Sequence, residues 1–258
     1  MIMKEIVKIL GININKITLK DAVQRVKDFL NNFDCKTPKV IFTPNTEVVM
    51  IARNNDRLKE IINQADIIIP DGIGLVHASR VKKNKLPERV TGFELSLKLL
   101  EAANENSYSL FILGGQEGVA EKAAENITKK YPDLKIAGYH HGYFKGTHIG
   151  QEGHQEELKV LEKINECEPD ILFVGFGVPK QELWINQNKD KLNCKVVIGN
   201  GGTIDILAGK LKRAPKIFQK LGMEWFYRLI KEPKRIKRQL VLPLFVLLVL
   251  FSREKIVE

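Results

Sequence analysis

Apolar residues along the first two hundred positions follow two alternating rhythms. Short runs rich in β-branched and aromatic residues, at 6–12, 39–43, 65–70, 108–113, 134–139, 170–174 and 195–198, read as strands. Several are apolar without a break, such as Ile67-Ile-Ile69 and Ile171-Leu-Phe-Val174, which is how strands covered on both faces read. Between them, helical patterns run over 19–31, 46–63, 92–105, 118–130, 155–167 and 180–190. The alternation predicts an α/β fold, a mostly parallel sheet with helices on both faces. Two more helices, around 216–230 and 233–251, follow a joint at Lys210-Leu-Lys-Arg-Ala-Pro215. The chain therefore divides into a body, 1–208, and a helical appendage, 209–258.

Charge sharpens that division. The appendage holds 13 Lys and Arg against 4 Asp and Glu, a net of +9, while the whole chain nets +10. A basic stretch, Lys231-Glu-Pro-Lys-Arg-Ile-Lys-Arg238, runs into the apolar strip Leu240-Val-Leu-Pro-Leu-Phe-Val-Leu-Leu-Val-Leu-Phe251. Basic and apolar residues side by side suit the surface of an anionic membrane. A spanning helix needs about 20 apolar residues, so the strip is too short to cross and either lies on a membrane or packs on protein. Nucleic acid would explain the charge but not the strip, and is not expected as a partner. The start, Met1-Ile-Met-Lys-Glu-Ile-Val-Lys8, interrupts its apolar run with charge and does not read as a signal peptide. Three cysteines, Cys35, Cys167 and Cys194, have no paired spacing and suit reduced thiols in a cytoplasmic protein. At 258 residues and 44% hydrophobic composition the chain can bury a sizeable core.

In open α/β sheets, ligands bind beyond the carboxyl ends of the strands. Five of the expected strands end in a polar or glycine-rich turn. These are Thr43-Pro-Asn-Thr46, Asp71-Gly-Ile-Gly74, Gly114-Gly-Gln-Glu-Gly118, Gly175-Phe-Gly-Val-Pro-Lys-Gln-Glu182 and Gly199-Asn-Gly-Gly-Thr-Ile-Asp205. Glycine lets backbone approach a ligand, and helix N-termini offer N–H groups to phosphate. Turns between strand and helix use glycine anyway, but five together favour a nucleotide or phosphorylated ligand. Neither G-x-G-x-x-G nor G-x-x-x-x-G-K-[ST] occurs, which disfavours a nicotinamide dehydrogenase and a P-loop ATPase.

Asp71 stands between Pro70 and Gly72 just past a buried strand. Its position suits a general base at the mouth of the sheet, and equally an N-cap for a following helix. His140, His141, His148 and His154 crowd a glycine-rich stretch without an established ligand spacing, and a solvated loop is expected there. No Asp-x-Asp pair is present to hold a divalent metal on a nucleotide diphosphate. If the chain is a sugar transferase, leaving-group charge must be met by Arg, Lys and backbone N–H.

Taken in order, the strand-end motifs, with Arg89-Val-Thr-Gly92 and Leu113-Gly-Gly115, resemble the WecG/TagA/CpsF glycosyltransferases across roughly residues 5–208. The Gly-x-Gly-x-Pro-Lys-Gln-Glu element is the most specific of the set, and Trp225-Phe-Tyr-Arg228 resembles the family's C-terminal extension. The 140–154 loop is longer than the usual pattern. The resemblance is strongest to the branch that builds wall teichoic acid in Gram-positive bacteria. It implies a Rossmann-like body and a metal-independent, inverting transfer with no cofactor. The donor would be UDP-N-acetylmannosamine, and the acceptor the 4-hydroxyl of GlcNAc-diphospho-undecaprenol. The enzyme would work from the cytoplasm, peripheral on the inner face of the membrane, and a homo-oligomer is left open.

The resemblance makes Asp71 the general base, with Thr43 and Asn45 bonding the sugar or orienting Asp71. Gln181 would contact the same pocket and Arg89 a substrate phosphate. Gly114, Gly115, Gly175, Gly177, Gly201 and Gly202 would take the nucleotide, with Asp205 at the uracil or ribose. Arg228, Arg235 and Arg238 would close over the diphosphate, the last two about one helical turn apart. Rivals are a relative with a different UDP-sugar, a non-catalytic nucleotide-binding membrane adaptor and an α/β oxidoreductase.

Overall fold

The computed structural model describes residues 5–33, 36–231, 233 and 236–252. The chain opens as an antiparallel hairpin, β1 (Ile6–Ile9) and β2 (Ile12–Asn15). The sequence pattern predicts one strand here. Leu10 and Gly11, at φ 47° and 89°, instead turn the chain within two residues, as a hairpin with the strands' own twist requires. Asn15 then anchors the hairpin, its Oδ1 accepting from the Ile68 amide at 2.7 Å.

Six parallel strands follow: β3 (Lys39–Phe42), β4 (Ile67–Ile68), β5 (Ser109–Gly114), β6 (Lys135–His140), β7 (Ile171–Gly175) and β8 (Val196–Gly199). Their order is β4-β3-β8-β7-β5-β6. Alternate residues of the central strands enter opposite cores. Phe111, Leu113, Leu172, Val174 and Val197 point into one, and Leu110, Ile112, Ile171, Phe173 and Val196 into the other.

Helices α1 (Leu19–Asn31), α5 (Gly92–Asn106), α6 (Val119–Lys130) and α9 (Thr203–Leu207) contribute buried residues to the second core. The first core receives α2 (Thr46–Arg53), α3 (Asp56–Asn63), α4 (Ile73–Val81), α7 (Gln155–Cys167) and α8 (Lys180–Asn188). Both faces are covered, as the uninterrupted apolar strands require.

The helices differ from the sequence pattern in four places, one being 233–251, which divides into the two last helices of the appendage. The span 46–63 divides because Asn55 caps α3, accepting from the Leu58 amide at 3.0 Å. Helix α4 is additional, its apolar face compressed into nine residues behind a glycine-rich start. The span 216–230 becomes α10 (Lys216–Lys220) and α11 (Glu224–Lys231), separated at Gly222. Gly222 has φ +69°, and a Cβ there would lie 2.8 Å from Ile73 of α4, so only glycine lets the appendage pass so close.

The appendage ends in α12 (Ile236–Gln239) and α13 (Val241–Phe251). Phe245 and Val249 of α13 sit in the first core, where α13 packs against α2 and α4. Leu240, Leu244, Leu247 and Phe251 remain exposed, Phe251 by 79%. The apolar strip therefore packs on protein along one side and leaves the other uncovered. Eleven residues of helix span about 16 Å. Among the described residues, no helix is long and apolar enough to cross a membrane.

Candidate active site

Strand order locates the ligand edge. β5 continues outward to β6, whereas β7 continues in the opposite direction to β8, so the crossovers diverge between β5 and β7. A crevice opens at the carboxyl ends at such a point. Gly114 and Gly175 face each other across it.

The crevice glycines divide by what surrounds them. A Cβ on Gly114 would lie 2.5 Å from the Gly175 carbonyl oxygen, one on Gly115 2.6 Å from Val119, and one on Gly175 2.7 Å from Ile204. Those three permit close packing of the loops themselves. At Gly177, Gly201 and Gly202 a Cβ would meet nothing within 4 Å, so these glycines border open space. Asp205 lies one turn further on, in α9.

Gln181 joins two of these loops. It is buried, its Oε1 accepting from the Gly201 amide and its Nε2 donating to Glu182 Oε1, both at 3.0 Å. The side chain thus lies beneath the crevice, fastening the turn after β7 to the turn after β8. Burial raises the Glu182 carboxyl to about 7, against hydrogen bonds from its own amide and Gln181. A carboxyl raised in the folded state keeps its proton there while the unfolded chain has lost it. Stability therefore falls as pH rises from about 4.5 to about 7. Glu182→Gln, which retains an acceptor for Gln181, should remove that slope and stabilise the protein above pH 7 by roughly 1–3 kcal/mol. Thermal melts of both proteins at pH 5 and 8 check this.

The histidine loop is the solvated segment that the sequence pattern predicts only in part: Tyr143, Lys145 and 149–153 are exposed, but its middle turns inward. His148 is buried, its ring 4.6 Å from both Phe144 and Phe176. The Glu157 carboxylate organises the loop, accepting from the Thr147 amide at 2.9 Å, the Thr147 hydroxyl at 3.1 Å and the Gly153 amide at 3.1 Å. Gly142 donates to the Gly115 carbonyl at 2.8 Å, so the loop closes over the edge of the crevice. Burial lowers the pKa of both His140 and His148. Among the described residues, no three His, Cys, Asp or Glu side chains converge as a metal site.

A cavity of about 400 Å³ opens at the β4 end of the same edge. Asn45, Asp71 and Arg89 line its polar end, together with Glu47, His77 and Gln239. The Asp71 backbone is held by its amide, which donates to the Pro44 carbonyl at 3.2 Å and the Ile69 carbonyl at 3.1 Å. Asp71 is not the cap of α4. Gly72 occupies that position. The glycines that follow Asp71 have a steric origin: a Cβ on Gly74 would lie 2.4 Å from Thr46 Oγ1, and one on Gly72 3.1 Å from the Thr46 amide. The first turns of α2 and α4 abut there and place Asp71 at the mouth.

Asn45 caps α2, its Oδ1 accepting from the Val48 amide at 3.1 Å, which leaves its amide group as the end able to donate to a ligand. Thr43 Oγ1 donates to the Gly199 carbonyl at 3.2 Å and ties β3 to β8.

The cavity's far wall is the appendage: Gly222, Glu224, Trp225, Gln239 and the inner face of α13. Glu224 bridges two arginines, Arg89 at 2.9 Å and Arg213 at 3.3 Å, and Arg213 also reaches Glu94 at 2.7 Å. The Arg213 guanidinium lies 5.0 Å from the Phe93 ring centre. Burial opposes ionisation of Glu94, but the Arg213 guanidinium and the Thr91 hydroxyl hold its carboxyl below the usual range. Of the three other expected arginines, Arg228 falls on α11 and Arg238 on α12, while Arg235 lies outside the described residues.

Residues 7–256 match the Glycosyl transferase WecG/TagA/CpsF family. The chain belongs to this family of glycosyltransferases. Relatives from Staphylococcus aureus strains MRSA252 and MW2 are 36% identical over 250 residues, covering 97% of this chain and 94% of theirs. Both are named N-acetylglucosaminyldiphosphoundecaprenol N-acetyl-beta-D-mannosaminyltransferase.

In this WecG/TagA/CpsF member, sequence motifs alone do not reveal Glu224, Arg213, His77 or Gln239 as site neighbours. One signal was available for Glu224: it is the sole acid between 209 and 231, in a stretch rich in Lys and Arg. Glu224→Gln should weaken the ion-pair cluster by about 1–3 kcal/mol. Hydrogen exchange should then rise across 216–231 and stay unchanged in β5 and β7. Unaltered exchange in α11 would show that the cluster does not hold the appendage.

Proposed function

We propose that this glycosyltransferase moves N-acetylmannosamine from UDP to the 4-hydroxyl of a GlcNAc-diphospho-polyprenol, with inversion at the anomeric carbon. The supporting observation is Asp71 at a strand end inside a cavity roofed by the basic, apolar appendage. Full-length similarity to enzymes named for that transfer supports the choice of sugars.

In this reaction Asp71 takes the proton of the acceptor hydroxyl as its oxygen bonds to the anomeric carbon. The bond from that carbon to the diphosphate breaks on the opposite face, and UDP leaves with the electron pair. One carboxylate suffices, because the diphosphate needs charge stabilisation rather than a proton. Arg89 and the arginines of the appendage supply it, with backbone N–H groups at the glycine loops. Three strand spacings separate the turn after β4 from the turn after β7, roughly 14 Å. A nucleotide held at Gly177, Gly201 and Gly202 can therefore extend its sugar along the edge toward Asp71. Asp205 reads the uracil or ribose.

No metal is required in this scheme, and the work takes place at the membrane surface, with the exposed side of α13 on the lipid. The test is incubation of the full chain with several UDP-sugars and a soluble GlcNAc-diphospho-lipid, with mass analysis of products. A disaccharide formed from UDP-N-acetylmannosamine, at a rate unchanged by EDTA, is the expected result. UDP release without a disaccharide, or preference for another donor, would overturn the assignment of acceptor or sugar. Strong inhibition by EDTA would overturn the metal-free scheme.

A further inference from the structure

The cavity beside Asp71 has Asn45, Asp71 and Arg89 at the strand-end side, and His77 is the polar residue of its α4 wall. From the strand-end side a groove follows α4, where Ala78 and Val81 continue the stripe begun at Ile73 and Gly74, one helical turn at a time. Its opposite wall is α13, through Leu242, Val246, Val249 and Leu250. The Lys82 ammonium donates to the Ser252 carbonyl, which ties the C-terminal ends of the two helices together. The stripe from 73 to 81 covers about 12 Å. Its outer rim, Val81, Val246 and Leu250, is about half exposed and merges with the uncovered apolar face of α13.

A carboxylate and an arginine at one end, and a mainly apolar trough, interrupted on α4 by His77, leading to an apolar surface, match an amphiphile with a fixed order of parts. That order is sugar hydroxyl, diphosphate, hydrocarbon chain. We propose that the groove between α4 and α13 binds the first isoprenoid units of the lipid-linked acceptor, so that the hydrocarbon as well as the head group positions the attacking hydroxyl. This rests on the acceptor assignment above. A free sugar or nucleotide has no part that would fill the trough. A membrane-facing helix alone would need no trough: its exposed side already presents Leu244, Leu247 and Phe251. In this scheme α13 divides its labour by face, the outer one touching the bilayer and the inner one guiding a single chain out of it.

The test compares two acceptors with the same GlcNAc-diphosphate head in detergent micelles, one on a polyprenyl chain and one on a short alkyl chain. Val81 and Leu250 are exposed enough that Val81→Glu with Leu250→Glu should leave the fold intact, as circular dichroism checks. The ratio of kcat/KM for long over short chain should fall by about tenfold or more in this variant, the equivalent of losing about two buried methylene groups. An unchanged ratio overturns the proposal, as does a loss seen only on vesicles, which would mark a membrane contact. A polyprenyl diphosphate carrying a benzophenone near its first isoprene provides a readout independent of turnover. It should label peptides from both 73–81 and 241–251 of the unaltered protein, and labelling of the 241–251 peptide alone overturns the groove. If neither acceptor receives sugar, the transfer itself is refuted, while the photolabel still reports on the groove.

Discussion

Asp71→Asn should cut sugar transfer by about 10²–10⁴-fold, the usual worth of a positioned general base, and should leave UDP affinity unchanged. Both halves follow from placement. Asp71 stands at the carboxyl end of β4, inside the cavity that the appendage roofs. The open glycines that suit a nucleotide, Gly177, Gly201 and Gly202, belong to the turns after β7 and β8. Asparagine preserves the size and the hydrogen-bonding capacity of one oxygen but cannot take a proton from an attacking hydroxyl. The expected signature is a fall in kcat with little change in KM for the donor, because the lost interaction forms only as the acceptor oxygen develops charge. Retained turnover would remove Asp71 from the base role. A large drop in melting temperature would identify it as a structural acid. Asn45→Ala is a poorer probe of the same site, since its Oδ1 caps α2 and a stability loss would accompany any kinetic one.

Much of this arrangement is legible in the residues. Unbroken apolar strands such as Ile171-Leu-Phe-Val174 can only sit in a sheet covered on both sides, and glycine-rich strand ends mark the crevice. Local signals failed where tertiary packing decided the outcome. Leu10 accepts a left-handed conformation because the hairpin buries it, which no propensity indicates. His148 lies in a polar, glycine-rich stretch, yet it is enclosed by Phe144 and Phe176 because Glu157 gathers the loop's amides from below. The pairing of Arg89 with Glu224 joins positions far apart in the chain, and no periodicity encodes it. Glycine was informative but ambiguous. The same residue type serves close packing at Gly114 and Gly175 and open space at Gly201 and Gly202, and only the neighbours tell them apart.

Deleting everything from Gly209 onward should reduce transfer by about 10³-fold or more while the α/β body stays folded. The body keeps all six strands of its sheet, the second core and all of the first but Phe245 and Val249, so circular dichroism should retain its α/β character. The cost in stability is local. Phe245 and Val249 contribute about 1.5–3 kcal/mol each by covering the first core where α13 packs against α2 and α4, and their loss should lower the melting point and leave an apolar surface prone to self-association. Catalysis suffers far more. The truncated chain loses Glu224, Trp225, Gln239 and the α13 wall of the cavity, so water enters beside Asp71, and it loses every candidate arginine of the appendage. Arg89 is then the described cavity arginine left to face the diphosphate, without the carboxylate that holds it in place. A truncated protein that remains active on a soluble acceptor would show the appendage to be an anchor only. Loss of activity on soluble and membrane-bound acceptors alike, with UDP binding retained, is the outcome that makes the appendage part of the active site.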